Sequence, residues 1–136
     1  MRDVLDTAVA LLGSRYQLGG ATPAGGFDCS GFVRYVFAAH QLDVPRTVAE
    51  QYRVGREVAR SHIGVGDLLF FSTTGPGPTH VGIVVDPAAQ TFVHAPGTGS
   101  VVRLERFDTP YWGRRMLTAR RLPVPGQSVT QARSGR

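Results

Sequence analysis

The apolar pattern of this chain changes period once, and that change constrains the fold more than any other feature. Before the change, apolar residues recur at helical spacing. Val4, Leu5, Ala8, Leu11 and Leu12 follow Asp3, a residue suited to cap a helix, and Gly13 supplies a stop. Asp28 caps a second helix, whose stripe of Phe32, Val33, Val36 and Phe37 fades near His40. Thr47 and Glu50 have capping-box spacing and open a short third helix after Pro45 and Arg46. Between the first two helices, residues 14–27 read as a glycine-rich loop broken by Pro23. So much glycine implies that backbone comes close to a neighbouring element or a ligand. After about Val58 the pattern becomes one of short strands: residues 67–71, 80–85, 91–95, 101–107 and 116–122. Helices followed by sequential strands predict an α+β fold, with helices packed on one side of a small antiparallel sheet or open barrel. Residues 1–122 read as one domain, and 123–136, without apolar periodicity, as a mobile tail.

Composition narrows the function. A chain of 136 residues, 42% of them hydrophobic, suits one soluble domain that needs neither disulfide nor metal to build a core. No stretch is long and apolar enough for a membrane helix. No apolar h-region follows Met1 either, so the expectation is a mature or truncated form, or export without a cleaved signal. The net charge is +5, and all 15 basic residues are arginine. Such a surface favours polyanions, whether nucleic acid, acidic lipid or a carboxylate-rich wall polymer, and can equally be a solvated face. No nucleic-acid motif accompanies it and no aromatics interleave the arginines, so nucleic acid is not an expected partner.

One cysteine excludes an internal disulfide and any site of several thiolates. Cys29 follows a helix cap, so it lies in the first turn, where unpaired N–H groups and the dipole favour a thiolate. Gly31 is expected to leave the helix surface open beside it. The charge of Asp28 acts against a thiolate unless its carboxylate is directed elsewhere, and a buried inert thiol is the bland alternative. A reactive thiol needs a base. Of the four histidines, His40 closes a helix and His62 lies in a polar connection. His80 and His94 lie on adjacent strands joined around Pro87. If Asp86 pairs with Gln90, or Val85 with Ala89, the two histidines share a face, opposite or diagonal to one another. Val81, Ile83 and Val85 take the apolar face, so both histidines are expected to point out of the core. A metal site is the competing explanation, but no third ligand has a convincing position, and neither metal nor cofactor is expected.

The stretches YQLGG, FDCSGFVRYVF, VPRTVAEQ, GDLLFF, HVGIVVD, FVHA and PYW occur here in order. Together they resemble the NlpC/p60 cell-wall peptidases over roughly residues 3–122. The resemblance implies a papain-like core with Cys29 as nucleophile, His80 as general base and acid, and His94 as the residue that orients it. It places Tyr16 beside the nucleophile as an oxyanion donor, makes Asp28 and Ser30 a polar pair suited to a peptide ammonium, and gives Arg46 a structural role. The implied substrate is the peptidoglycan stem peptide, cleaved between D-γ-glutamyl and a diamino acid such as meso-diaminopimelate. The implied protein is a monomer acting in the periplasm or cell envelope, or after secretion. Leu18 departs from the aromatic residue common in the family, and the 21–27 and 72–79 segments are expected to line the cleft. Wall amidases, acyltransferases of the same superfamily and a non-catalytic wall-binding module are the alternatives.

Overall fold

A computed structural model of the chain describes residues 1–123. Helix α1 spans Arg2–Ala10, α2 Cys29–Ala38, α3 Val48–Gln51 and α4 Pro110–Arg115. A two-residue hairpin, β1 (Ala21–Thr22) and β2 (Gly26–Phe27), lies within the glycine-rich segment. The main sheet contains β3 (Arg56–Val58), β4 (Leu68–Phe71), β5 (His80–Asp86), β6 (Thr91–His94), β7 (Arg103–Arg106) and β8 (Met116–Arg121). Its order is β3-β8-β4-β5-β6-β7 and every pairing is antiparallel. The sheet is open, with β3 and β7 at its edges. The fold is α+β, as the change of period predicts, and the sheet does not close into a barrel. Among the described residues, no helix is long and apolar enough to cross a membrane.

Several local expectations shift. Helix α1 begins two residues early, with Met1 at the N-cap and no side-chain cap. Asp3 lies instead in the first turn, where its charge complements the dipole. Asp28 and Thr47 do cap α2 and α3, and the Thr47–Glu50 capping box is complete. Helix α4 was not expected, although Thr109 followed by Pro110 is a start signal: the Thr109 hydroxyl accepts from the Trp112 N–H. The tail expected from residue 123 onward falls, apart from Pro123, outside the described residues.

The larger correction concerns the faces of the sheet. On one face Leu68, Phe70, Val81, Ile83 and Val93 pack against Val33, Val36 and Phe37 of α2 and against Val4 and Ala8 of α1. The other face carries a second apolar cluster: Leu69, Phe71, Val84, Phe92, Phe107, Ala119 and, from α4, Trp112. The central strands β4, β5 and β6 are therefore buried on both sides, and β4 reads Leu-Leu-Phe-Phe with no alternation at all. His80 and His94 do share a face, but that face is covered: His94 is fully buried and His80 is 5% exposed.

Candidate active site

Two elements meet where β5 begins. Helix α2 presents Cys29 in its first turn, and it packs on β5. The connection into β5 is held by Thr79, whose hydroxyl oxygen accepts from the Thr73 N–H at 2.8 Å and the Thr74 N–H at 3.3 Å. His80 follows directly. The Cys29 thiol lies within the influence of the Val81 backbone N–H, the residue after His80, so the start of α2 lies against the start of β5.

Strands β5 and β6 pair Ile83 with Val93 and Val84 with Phe92, then shift near the turn so that Asp86 meets Thr91. The body of the hairpin thus follows the Asp86–Gln90 register, and a bulge absorbs one residue. The turn closes because the Asp86 carboxylate accepts from Ala88 and Ala89 N–H groups, while Gln90 takes a left-handed conformation, φ 58°. This register sets His94 diagonal to His80, with Nε2 of His80 and Nδ1 of His94 2.7 Å apart. Gly82 sits between them on the same face. A Cβ there would run into the Phe92 ring, so glycine lets Phe92 and His94 lie low over β5.

The chain of polar contacts continues. His94 Nε2 lies 2.8 Å from Oε2 of Glu105 on β7, and the same oxygen accepts from Arg103 Nε–H at 2.9 Å. The other oxygen, Oε1, accepts from the Trp112 indole N–H at 3.0 Å. Trp112 also stacks on His80 (centroids 5.4 Å apart) and meets the His94 ring edge-on (5.0 Å), fixing both imidazole planes. Trp112 belongs to the PYW stretch, for which no role is expected from the sequence, and Glu105 carries no sequence signal. The pairing that places Glu105 opposite Phe92 follows a long connection, residues 95–102, which does not dictate register.

Burial dominates the electrostatics. It pushes the Cys29 thiol up to about 11, and the charge of Asp28 adds to this, against the pull of backbone N–H groups at Val81, Ser30 and Cys29 itself. The helix-start N–H groups do pull towards the thiolate, as expected, but burial outweighs them. Burial also pushes His80 well below its ordinary value; repulsion from His94 adds to this and Glu105 opposes it. Burial lowers His94 likewise, against the hydrogen bond and charge of Glu105. At neutral pH the resting site holds a neutral thiol and neutral imidazoles. Burial, and then the charges of Cys29 and Asp28, raise the Tyr16 hydroxyl, which keeps it a donor.

Asp28 is bonded from several directions, with its side chain 16% exposed. Its Oδ1 accepts from the Gly31 N–H (2.7 Å), Arg46 Nη1 (3.0 Å) and the Ser30 hydroxyl (3.4 Å), and its Oδ2 from Arg46 Nη2 (2.9 Å) and the Gly19 N–H (3.1 Å). Arg46 also donates to Ser30 Oγ and to the Gly20 carbonyl. Ser30 is buried beneath this clamp, and the bonds to Asp28 cap α2 and anchor the glycine loop. Gly31 does not open the helix to substrate either: a Cβ there would meet the Gly20 carbonyl, so the loop itself fills that space. Leu18, on the same loop, stands 78% exposed. His40 and His62 lie apart from the site, His40 bonded to Thr7 Oγ1 and His62 exposed beside Ser61.

A thiol at a helix start, set against an antiparallel sheet that carries two linked imidazoles, defines a papain-like α+β domain. The chain belongs to the NlpC/P60 family, whose model matches residues 13–121. It is similar to the murein DD-endopeptidase MepS/murein LD-carboxypeptidase of Escherichia coli, with 40% identity over 120 residues, covering 88% of this chain and 61% of that one. It is also similar to the gamma-DL-glutamyl hydrolase of Bacillus subtilis, with 34% identity over 122 residues, covering 88% of this chain and 29% of the relative. Among solved structures, an NlpC/P60 family protein from Bacillus cereus superposes with a TM-score of 0.81 at 31% identity, covering 88% of this chain and 39% of its own. The chain thus spans less than two thirds of the length of these relatives.

Proposed function

We propose that residues 1–122 form the catalytic domain of a cysteine peptidase that hydrolyses peptidoglycan stem peptides, with Cys29, His80 and His94 as its triad. The observation that carries this reading is the 2.7 Å link between the His80 and His94 rings, beside a helix-start thiol. Because Nε2 of His80 is engaged by His94, Nδ1 is the nitrogen left for the thiol. As Sγ attacks the scissile carbonyl carbon, the thiol proton passes to His80 Nδ1, so thiolate and imidazolium arise together and each offsets the other's burial. The oxyanion receives the Cys29 backbone N–H, which has no intrahelical acceptor, and the Tyr16 hydroxyl. His80 then gives its proton to the leaving amine nitrogen, and a thioester remains. Water, deprotonated by His80, attacks that thioester and releases the carboxylate product, and the thiol regains its proton. Asp28, Ser30 and Arg46 act as the clamp that holds the glycine loop against α2. No cofactor enters this scheme.

The bond assigned is the one between D-γ-glutamyl and a diamino acid such as meso-diaminopimelate, which agrees with the name of the Bacillus subtilis relative. The name of the Escherichia coli relative favours a second reading, a D,D bond between cross-linked stems. With either substrate the proposed site of action is the cell envelope or outside the cell, and the proposed state is a monomer. Purified muropeptides digested by wild type and Cys29→Ser, with products weighed by mass spectrometry, test both points. Fragments cut after the γ-glutamyl residue are expected from wild type alone. Separation of cross-linked dimers into monomers would move the assignment to the D,D bond. Sugar–peptide cleavage or acyl transfer would move it to an amidase or transferase, and equal products from both proteins would remove the cysteine mechanism.

A further inference from the structure

Two of the three donors that converge on Glu105 are fixed by chemistry. The Trp112 indole nitrogen carries a hydrogen and nothing else to offer, and it points at Oε1. The Arg103 Nε–H is equally committed to donating, and it points at Oε2. Only a carboxylate accepts at both positions. These donors, with His94, outweigh the burial that would otherwise neutralise Glu105 and hold its carboxyl below the ordinary range. Its side chain is 23% exposed, whereas that of His94 is fully buried, so the carboxylate meets solvent while the imidazole behind it does not.

An ionised carboxylate can only accept, so the hydrogen between His94 Nε2 and Glu105 Oε2 belongs to His94. A neutral His94 with its proton on Nε2 has a lone pair on Nδ1. That lone pair faces His80 Nε2 at 2.7 Å, so the hydrogen in this second contact belongs to His80. A neutral His80 with its proton on Nε2 has its lone pair on Nδ1, the nitrogen left for Cys29. Reversing the first donor reverses both others, and His80 would then offer a protonated nitrogen to the thiol. We propose that Glu105 is a positioning residue of this site, which sets the tautomer of His80 through His94 and is itself locked by Trp112 and Arg103. Its effect on rate rests on the cysteine chemistry above, whereas the proton positions can be read with no substrate.

Glu105→Gln tests this, because the amide cannot satisfy both fixed donors. If its oxygen serves Trp112, its NH2 faces Arg103 and His94, and the tautomers invert; if its oxygen serves Arg103 and His94, its NH2 opposes the indole N–H. Two-bond proton–nitrogen spectra of histidine-labelled protein near neutral pH should show His80 and His94 of the wild type both protonated on Nε2. In Glu105→Gln the populations should move towards Nδ1–H. For muropeptide hydrolysis, kcat should fall at least about tenfold with KM little changed, short of the roughly 10⁴-fold loss seen when an adjacent residue imposes a wrong tautomer. Adding Trp112→Phe removes the indole donor and lets the amide turn its oxygen to His94, so the double variant should recover part of kcat and the Nε2–H signals. A wild-type His80 protonated on Nδ1, or tautomers unchanged in Glu105→Gln, would overturn the proposal even if no muropeptide were cleaved. A wild type that has the stated tautomers but cleaves nothing would overturn the peptidase reading and leave the proton assignment standing.

Discussion

Cys29 starts as a neutral thiol because removing a thiolate from water costs more than the backbone N–H groups at Val81, Ser30 and Cys29 return. This has a measurable consequence. Alkylation by iodoacetamide follows the thiolate fraction, so in the free protein its rate should rise about tenfold per pH unit through neutrality and on towards pH 11. A rate that levels off below neutral pH would mean a preformed thiolate–imidazolium pair and would contradict the resting state described above. The same logic separates substitutions at His94. An asparagine oxygen can still accept the His80 Nε2–H, whereas leucine cannot. His94→Leu should therefore lower kcat by about 10²–10⁴-fold, the range of a positioned general base, and His94→Asn by distinctly less. Equal losses in steady-state hydrolysis would show that His94 acts by packing alone.

Among elements, the closest fit is between α2 and the glycine loop. Gly31 lies against the Gly20 carbonyl, Gly20 against Gly26, and the Asp28–Arg46 clamp closes over them. Gly31→Ala should destabilise by about 1–3 kcal/mol, because backbone rather than a flexible side chain must move. Arg46→Ala should cost about 1.5–3 kcal/mol, the value of hydrogen bonds to a charged group. Urea unfolding reads both, and a shift within error of zero would show that the loop is not held this way. Capped helices and apolar strands were legible in the sequence because their signals are local: Asp28 and Thr47 at helix starts, and the β-branched run Val81–Val85. The two short pairs at β1–β2 and β3–β8 were not, since two or three residues give no periodicity and their partners lie close by in the glycine loop or far along the chain. The shared face of His80 and His94 followed from a short turn. Glu105 did not, because an eight-residue connection leaves register open. The burial of both histidines was also illegible: it depends on Trp112, delivered by a six-residue helix whose only start signal is Thr109 followed by Pro110.

For the molecule as a whole, the sheet covered on both faces makes folding and the charge state of the site one problem. His80 and His94 are neutral where they are buried, so the folded protein refuses protons that the unfolded chain accepts. Their folded values lie below the unfolded one, so the stability they confer is complete above about pH 6.5 and is lost as pH falls below it. Each contributes up to about 1.4 kcal/mol per pH unit, down to pH values of about 4 for His94 and about 3 for His80. Urea midpoints should fall between pH 7 and pH 5, less steeply in His94→Asn, which has one buried imidazole fewer. A midpoint independent of pH across that interval would contradict the burial assigned to both rings. The chemical claim that joins site to fold is that Cys29 carries the acyl group during turnover. The direct measurement is the intact mass of the protein during digestion of a stem peptide, quenched in acid within the first turnovers. The account predicts an adduct equal to the N-terminal acyl fragment, mapped to Cys29, removed by neutral hydroxylamine and absent in Cys29→Ala. Hydrolysis at an undiminished rate in Cys29→Ala, or an adduct on another residue, would contradict it.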